Sequence, residues 1–144
     1  MESRIVIPNA APEAYQALMN LEKYISTTSL TTTHKELLKI RASQVNGCAF
    51  CINMHTADAR KYGETEQRIY LLSAWREADV FTEEEKAILA LTEEVTLISN
   101  HVSDEVYQNA ARLFDKKYLA ELILAIITIN AWNRLAITTG LRAV

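Results

Sequence analysis

The chain has two cysteines, three positions apart in the run Cys48-Ala49-Phe50-Cys51, and His55 follows four residues further on. Two thiols at this spacing can close into a small disulfide ring, and an imidazole one helical turn away can move their protons. On a helix turning about 100° per residue, positions 48, 51 and 55 fall at about 0°, −60° and −20°, so they share one narrow face. If that helix starts near Gly47, both thiols sit in its first turn, where unpaired amides and the helix dipole favour a thiolate. A thiol pKa falls from about 8.5 to between ~3.5 and 7.5 in such settings. The thiolate attacks a peroxide oxygen or a disulfide sulfur, and the second thiol resolves the product into an intramolecular disulfide. Nearness to the helix N-terminus favours Cys48 as the activated thiol, whereas His55, one turn from Cys51, favours Cys51. Spacing leaves both assignments open.

Glu36 lies twelve residues before Cys48 and can return to the site across the Asn46-Gly47 corner, to orient His55 or shuttle protons. Its rival role is local: Thr33 followed by Glu36 has the form of a capping box. The cysteine pair also has rival roles, as two small buried apolar residues or, with His55 and either Glu36 or His34, as zinc ligands. Structural zinc usually takes a second close ligand pair, and the chain has no other cysteine. No metal and no cofactor are therefore expected. His34 and His101 are expected in solvent, Trp75 and Trp132 as core or interface anchors, and Tyr62, close after the cysteine helix, on the surface with lining of the pocket as the alternative. Glu83-Glu84-Glu85 reads as a solvated helix start.

These residues need a rigid frame, and composition indicates which. The chain is 144 residues long, of a size that buries roughly two-thirds of its unfolded surface as one domain. A charge of −3 offers no clustered excess of Lys and Arg, so nucleic acid and acidic membrane surfaces are not expected partners. The first thirty residues lack the basic start and apolar stretch of a signal peptide, and Leu119 to Leu141 is interrupted by Glu121, Asn130, Asn133 and Arg134. The expected location is the cytoplasm, where a close cysteine pair is more often catalytic or metal-binding than a structural staple.

With three glycines, and two prolines that both precede residue 13, the chain has too few turn residues for a sheet protein; an all-α domain is expected. An N-terminal arm and first helix, Pro12 to about Tyr24, occupy residues 1–30, and the core spans 31–140. The second helix opens near Thr33 and stops at Asn46-Gly47, and the third carries the cysteines and ends at Gly63. Thr65 to Glu77 reads as a fourth, Thr82 caps a fifth, Ser103 opens a sixth reaching Phe114, and the last runs from Leu119 to Gly140. Leu122, Ile123, Leu124, Ile126, Ile127 and Ile129 wrap more than one face of that last helix, which predicts a subunit contact, and Asn130 and Asn133 would be buried amides needing partners.

The stretch from Glu36 to His55 resembles the core of the alkylhydroperoxidase D-like (AhpD-like) proteins of the carboxymuconolactone decarboxylase superfamily. The shared pattern is Glu, eleven residues, Cys, two residues, Cys, three residues, His, and every spacing is met. The preceding Ser43-Gln44-Val45-Asn46-Gly47 is typical, as are Leu72-Ser73-Ala74-Trp75-Arg76 and Ile129-Asn130-Ala131-Trp132-Asn133-Arg134, so the likeness runs from about residue 30 onward. It implies an all-helical fold assembled as trimers or hexamers. It also implies an antioxidant, peroxiredoxin-type alkylhydroperoxidase, in which a reduced dithiol removes hydroperoxides and a lipoyl-type or thioredoxin-like donor restores it. Carried over by position, Cys51 would be the peroxidatic thiol, Cys48 the resolving thiol that meets the donor, and Glu36 and His55 the proton relay.

One position departs from the pattern. Well-characterised peroxidase members carry a histidine immediately before the second cysteine, where this chain has Phe50. The relay is short of one base, which keeps a general dithiol–disulfide oxidoreductase and a redox-sensing oligomer as alternatives. The decarboxylase branch does not rely on this cysteine pair, so its presence argues against lactone decarboxylation.

Overall fold

The computed structural model describes residues 4–144, and these form eight α-helices and two short 3₁₀-helices with no strand among them. The helices are α1 (Ile7–Ala10), α2 (Pro12–Ser26), α3 (Thr32–Asn46), α4 (Ala49–Lys61), α5 (Glu66–Leu71), α6 (Glu83–Thr96), α7 (Asp104–Leu113) and α8 (Lys116–Thr139). The all-helical expectation holds. Side-chain caps set many of the starts: Thr65, Thr82, Ser103 and Asp115 each accept a backbone N–H three residues on. Gly47 and Gly140 stop α3 and α8 at φ 69° and 77°, a conformation that costs glycine little.

Several starts and stops differ from those read in the sequence. α3 is capped by Thr31, whose hydroxyl accepts the His34 N–H, so the Thr33–Glu36 capping box does not form. Leu30 is buried in the core and fixes where the chain enters, so the first threonine after it takes the cap. That frees Glu36, one turn further in, to point at the interior. The N-terminal arm contains the one-turn helix α1 beside Pro8. The expected helix from Thr65 to Glu77 ends at Leu71 and continues as the 3₁₀-helix Leu72–Glu77, with Ala74 non-helical at φ −128° and ψ 33°. The tighter winding puts Leu72 and Trp75, three apart, on one buried side. α8 begins three residues earlier than expected because Asp115 caps it.

α3 is the centre, packing against α4, α6 and α8. Its Leu38 and Ala42 join Ile25, Ile88, Leu122 and Ile126 in one core, while Leu37 and Ile40 join Leu72, Trp75, Phe81 and Leu89 in another. Apolar contacts on two sides leave its remaining strip, with Glu36, Lys39 and Ser43, to face α4 and α8. α8 is long and apolar enough to cross a membrane by length and composition, yet it lies against α2, α3, α4, α6 and α7 with Glu121, Asn130 and Asn133 buried.

The two asparagines find the partners they need. Asn46, at the end of α3, donates to Asn130 Oδ1 and Asn133 Oδ1, each at 2.9 Å. Asn133 in turn donates to Ser43 Oγ, and Asn130 to Thr96 Oγ1, both at 3.0 Å. This chain of amides pins the α3–α4 corner to α8 and α6, and so fixes where the cysteines begin. Glu93 makes a second tie, accepting from Arg41, Trp75 and Arg76. Glu85, expected in solvent with its neighbours, is instead buried against the Arg68 guanidinium.

Candidate functional site: a cysteine pair beside a buried carboxylate–imidazole contact

Cys48 is the N-cap of α4, and its sulfur accepts the Cys51 N–H at 3.3 Å. The two sulfurs are 2.16 Å apart, at disulfide distance, with Cα atoms separated by 5.3 Å. Both residues are buried, in a small cluster with Ala136 of α8 and half-buried Phe50. The expected first-turn placement is met, with an amide already directed at Cys48 Sγ.

His55 follows one turn after Cys51 and is also buried. Its Nδ1 lies 3.8 Å from Glu36 Oε2, across the α3–α4 interface. Among the described residues neither atom has a hydrogen-bond partner. Burial lowers the His55 pKa from 6.5 to about 4, with the Lys39 ammonium adding to the effect. Burial raises the Glu36 pKa, and Lys39 partly opposes it. Lys39 Nζ is 4.0 Å from Glu36 Oε1 and 3.3 Å from Glu22 Oε1, and Glu22 Oε2 accepts Trp132 Nε1–H at 3.0 Å. A neutral imidazole held beside a carboxylate that is reluctant to ionise can pass a proton at low cost. Once a thiolate forms at Cys51, its charge will raise the proton affinity of His55.

Cys51 and His55 open onto a cavity of about 530 Å³. Its walls are mainly apolar, with Phe50 and Met54 from α4, Tyr15 and Met19 from α2, and Trp132 and Leu135 from α8. Residues Arg4–Pro8 complete them, so the arm ahead of the core lines the site. Trp132, expected as an anchor, forms part of this wall and packs edge-on against Tyr15.

Other candidates fall elsewhere. His34 is half-buried rather than solvated, because Tyr118 and Phe114 of the α7–α8 corner pack on it; its Nδ1 is 2.6 Å from the Tyr118 hydroxyl. It stands apart from the cysteines, and no group of three or more His, Cys, Asp or Glu converges for a metal among the described residues. His101 is exposed, and Tyr62 is exposed with no place in the cavity wall.

Residues 12–94, which hold α2 to α5 and most of α6, match the carboxymuconolactone decarboxylase family. The chain belongs to that family, as an AhpD-like member. It is 51% identical over 144 residues to the uncharacterised protein YdfG of Bacillus subtilis, spanning 99% of this chain and 98% of the relative. A protein of unknown function from Agrobacterium tumefaciens, given a suspected AhpD role in antioxidant defence, superposes with a TM-score of 0.94. Identity there is 38%, over 99% of both chains. The debrominase Bmp8 has a TM-score of 0.83 at 19% identity, covering 92% of this chain and 71% of its own, a likeness that shows the fold alone.

Within this family member the sequence pattern found Cys48, Cys51, His55 and Glu36, and the structure brings the four together. It did not find Lys39, Glu22 or the arm. Lys39 carried a legible signal, since it lies three residues after Glu36 and so shares its helical face. The arm carried none, because nothing local ties residues 4–8 to a helix more than a hundred positions away.

Proposed function

We propose that the protein is a thiol-dependent peroxidase that reduces hydroperoxides with the Cys48–Cys51 pair. The Glu36–His55 contact supports this reading most: His55 lines the cavity beside Cys51, and behind it Glu36 Oε2 faces His55 Nδ1, both atoms buried with no hydrogen-bond partner among the described residues. In the reduced form, the Cys51 thiol gives its proton to the His55–Glu36 pair. Its thiolate attacks a peroxide oxygen, the O–O bond breaks, and the alkoxide leaves with a proton returned through His55. Cys48 then attacks the Cys51 sulfenic acid, water departs, and the disulfide forms. A lipoyl-type or thioredoxin-like dithiol donor restores the two thiols. The largely apolar cavity suits an organic hydroperoxide better than hydrogen peroxide. Exposed Leu124, Ile127 and Ile137 on α8 support a subunit contact, such as the homotrimer or homohexamer implied by the family resemblance would use.

Phe50 supports one further reading, a dithiol–disulfide oxidoreductase with little peroxidase activity, since an apolar ring stands where a third proton carrier would. Thiol loss after mixing fully reduced protein with cumene hydroperoxide separates the two. The peroxidase reading expects rapid loss of both thiols, abolished in Cys51→Ser. Loss no faster than that of a free thiol would overturn it in favour of disulfide exchange.

A further inference from the structure

The two cysteines line different spaces. Cys51 lines the apolar cavity, whereas Cys48 lines a second, more open recess of about 650 Å³ that also borders the α8 terminus. Arg4, Thr139 and Leu141 stand in the walls of both. Arg4 holds its place by donating to the carbonyls of Thr138 at 2.9 Å and Ile137 at 3.4 Å, at the negative end of the helix dipole. It forms the partition between the two spaces.

Their electrostatics differ. The Cys51 cavity balances Arg4 and Lys39 with Glu22 and Asp58. Among the described residues the Cys48 recess has Arg4 and exposed Arg142 in its lining and no carboxylate side chain, in a chain whose net charge is −3. Its floor beside Cys48 is unobstructed, because a Cβ on Gly47 would meet nothing within 4 Å. Cys48 is only 2% exposed, so a slender donor reaches its sulfur more readily than a broad protein surface does.

We infer that Cys48 is addressed through its own opening, and that this opening admits a slender thiol bearing a carboxylate. The inference builds on the redox reading in taking the pair to cycle. The donor thiolate attacks Cys48 Sγ, the protein S–S bond breaks, and its electron pair leaves on Cys51, which takes a proton from the His55 side. A second donor thiolate attacks the donor sulfur of the mixed disulfide and releases Cys48 as thiolate. Two donor thiols become one donor disulfide as the protein disulfide becomes a dithiol.

Single-cysteine proteins test this without peroxide. Cys51→Ser leaves Cys48, and Cys48→Ser leaves Cys51; each reacts with anionic dithiobis(nitrobenzoate) and with neutral dithiodipyridine. Comparing the rate ratio for the two reagents between the proteins cancels their intrinsic reactivity. The anionic-to-neutral ratio is expected to be higher at Cys48 by about fivefold or more, the scale of one exposed charge–charge contact. Arg142→Gln should erase most of that preference at Cys48 and leave Cys51 unchanged, with Arg142→Lys retaining it. Equal ratios at the two thiols, or an Arg142→Gln effect shared by both, would overturn the inference. Failure of the peroxidase reading shows instead as reduced protein inert to hydroperoxide, and leaves these ratios as they are.

Discussion

Glu36 Oε2 and His55 Nδ1 face each other at 3.8 Å from neighbouring helices, both buried, and neither has another partner among the described residues. A contact of this kind costs stability, since each group loses water without gaining a full hydrogen bond. Polar groups in so unfavourable a place mark sites of function more often than devices of stability.

The first consequence is a pH dependence of folding. His55 has a pKa of about 4 in the folded chain and about 6.5 when unfolded, so between these values the unfolded state binds the extra proton. Stability should therefore fall as pH drops from about 6.5 through 4, by up to about 3 kcal/mol from this residue. Glu36 has the opposite sign: its raised folded pKa adds stability as pH falls towards 4.5, offsetting part of the loss. Urea midpoints measured against pH should show a net decline in the native chain and a flatter or inverted profile in His55→Gln. An unchanged profile in the variant would falsify the assignment of the decline to His55.

Replacing Glu36 by Gln separates function from stability. The amide removes the buried ionisable group, so the urea midpoint should hold or rise. The thiol-loss rate with cumene hydroperoxide should fall by about tenfold to a hundredfold, as expected when a proton carrier is removed. A variant that loses stability and keeps its rate would show Glu36 to be a packing residue.

Much of this arrangement is legible in the sequence, for reasons particular to the residues. The spacing of Cys48, Cys51 and His55 encodes one face of one helix, and Gly47 marks the corner that folds Glu36 back on them. The scarcity of glycine and proline carried the all-helical fold. What escaped was set by burial between distant segments. Leu30 in the core shifted the α3 cap to Thr31, and paired burial of Leu72 and Trp75 tightened a helix into a 3₁₀ turn. The drawing-in of Glu85 by Arg68, and of His34 by Tyr118, depends on tertiary neighbours that no local pattern specifies.

Phe50 sets up a gain-of-function test. It lines the cavity beside Cys51, half-buried, at the position where the family's well-characterised peroxidases carry histidine. Phe50→His should raise the rate of Cys51 oxidation by cumene hydroperoxide by about tenfold or more, the lower range of general acid–base effects. The gain should follow the titration of the new imidazole, appearing as an added limb in the pH–rate profile. A variant that folds, shows no such limb and reacts no faster would mean that the native relay already suffices without a third carrier.

Asn133 supplies the mechanical test of how the site is held. It is fully buried on α8, accepts from Asn46 and donates to Ser43, so it spans the α3 terminus from which Cys48 emerges. Asn133→Ala leaves the Asn46 amide with one acceptor and opens a small void beside Ser43. The combined loss should be about 2–4 kcal/mol, readable as a lower urea midpoint. Because the amide chain sets the register of the α3–α4 corner, the same substitution should slow disulfide closure after oxidation, even at temperatures where the protein stays folded. Asn133→Asp keeps the acceptor but buries a charge, so it should destabilise at least as much at neutral pH and recover as the carboxyl is protonated. If the alanine variant were destabilised but closed its disulfide at the native rate, the network would support the fold without governing how the two sulfurs meet.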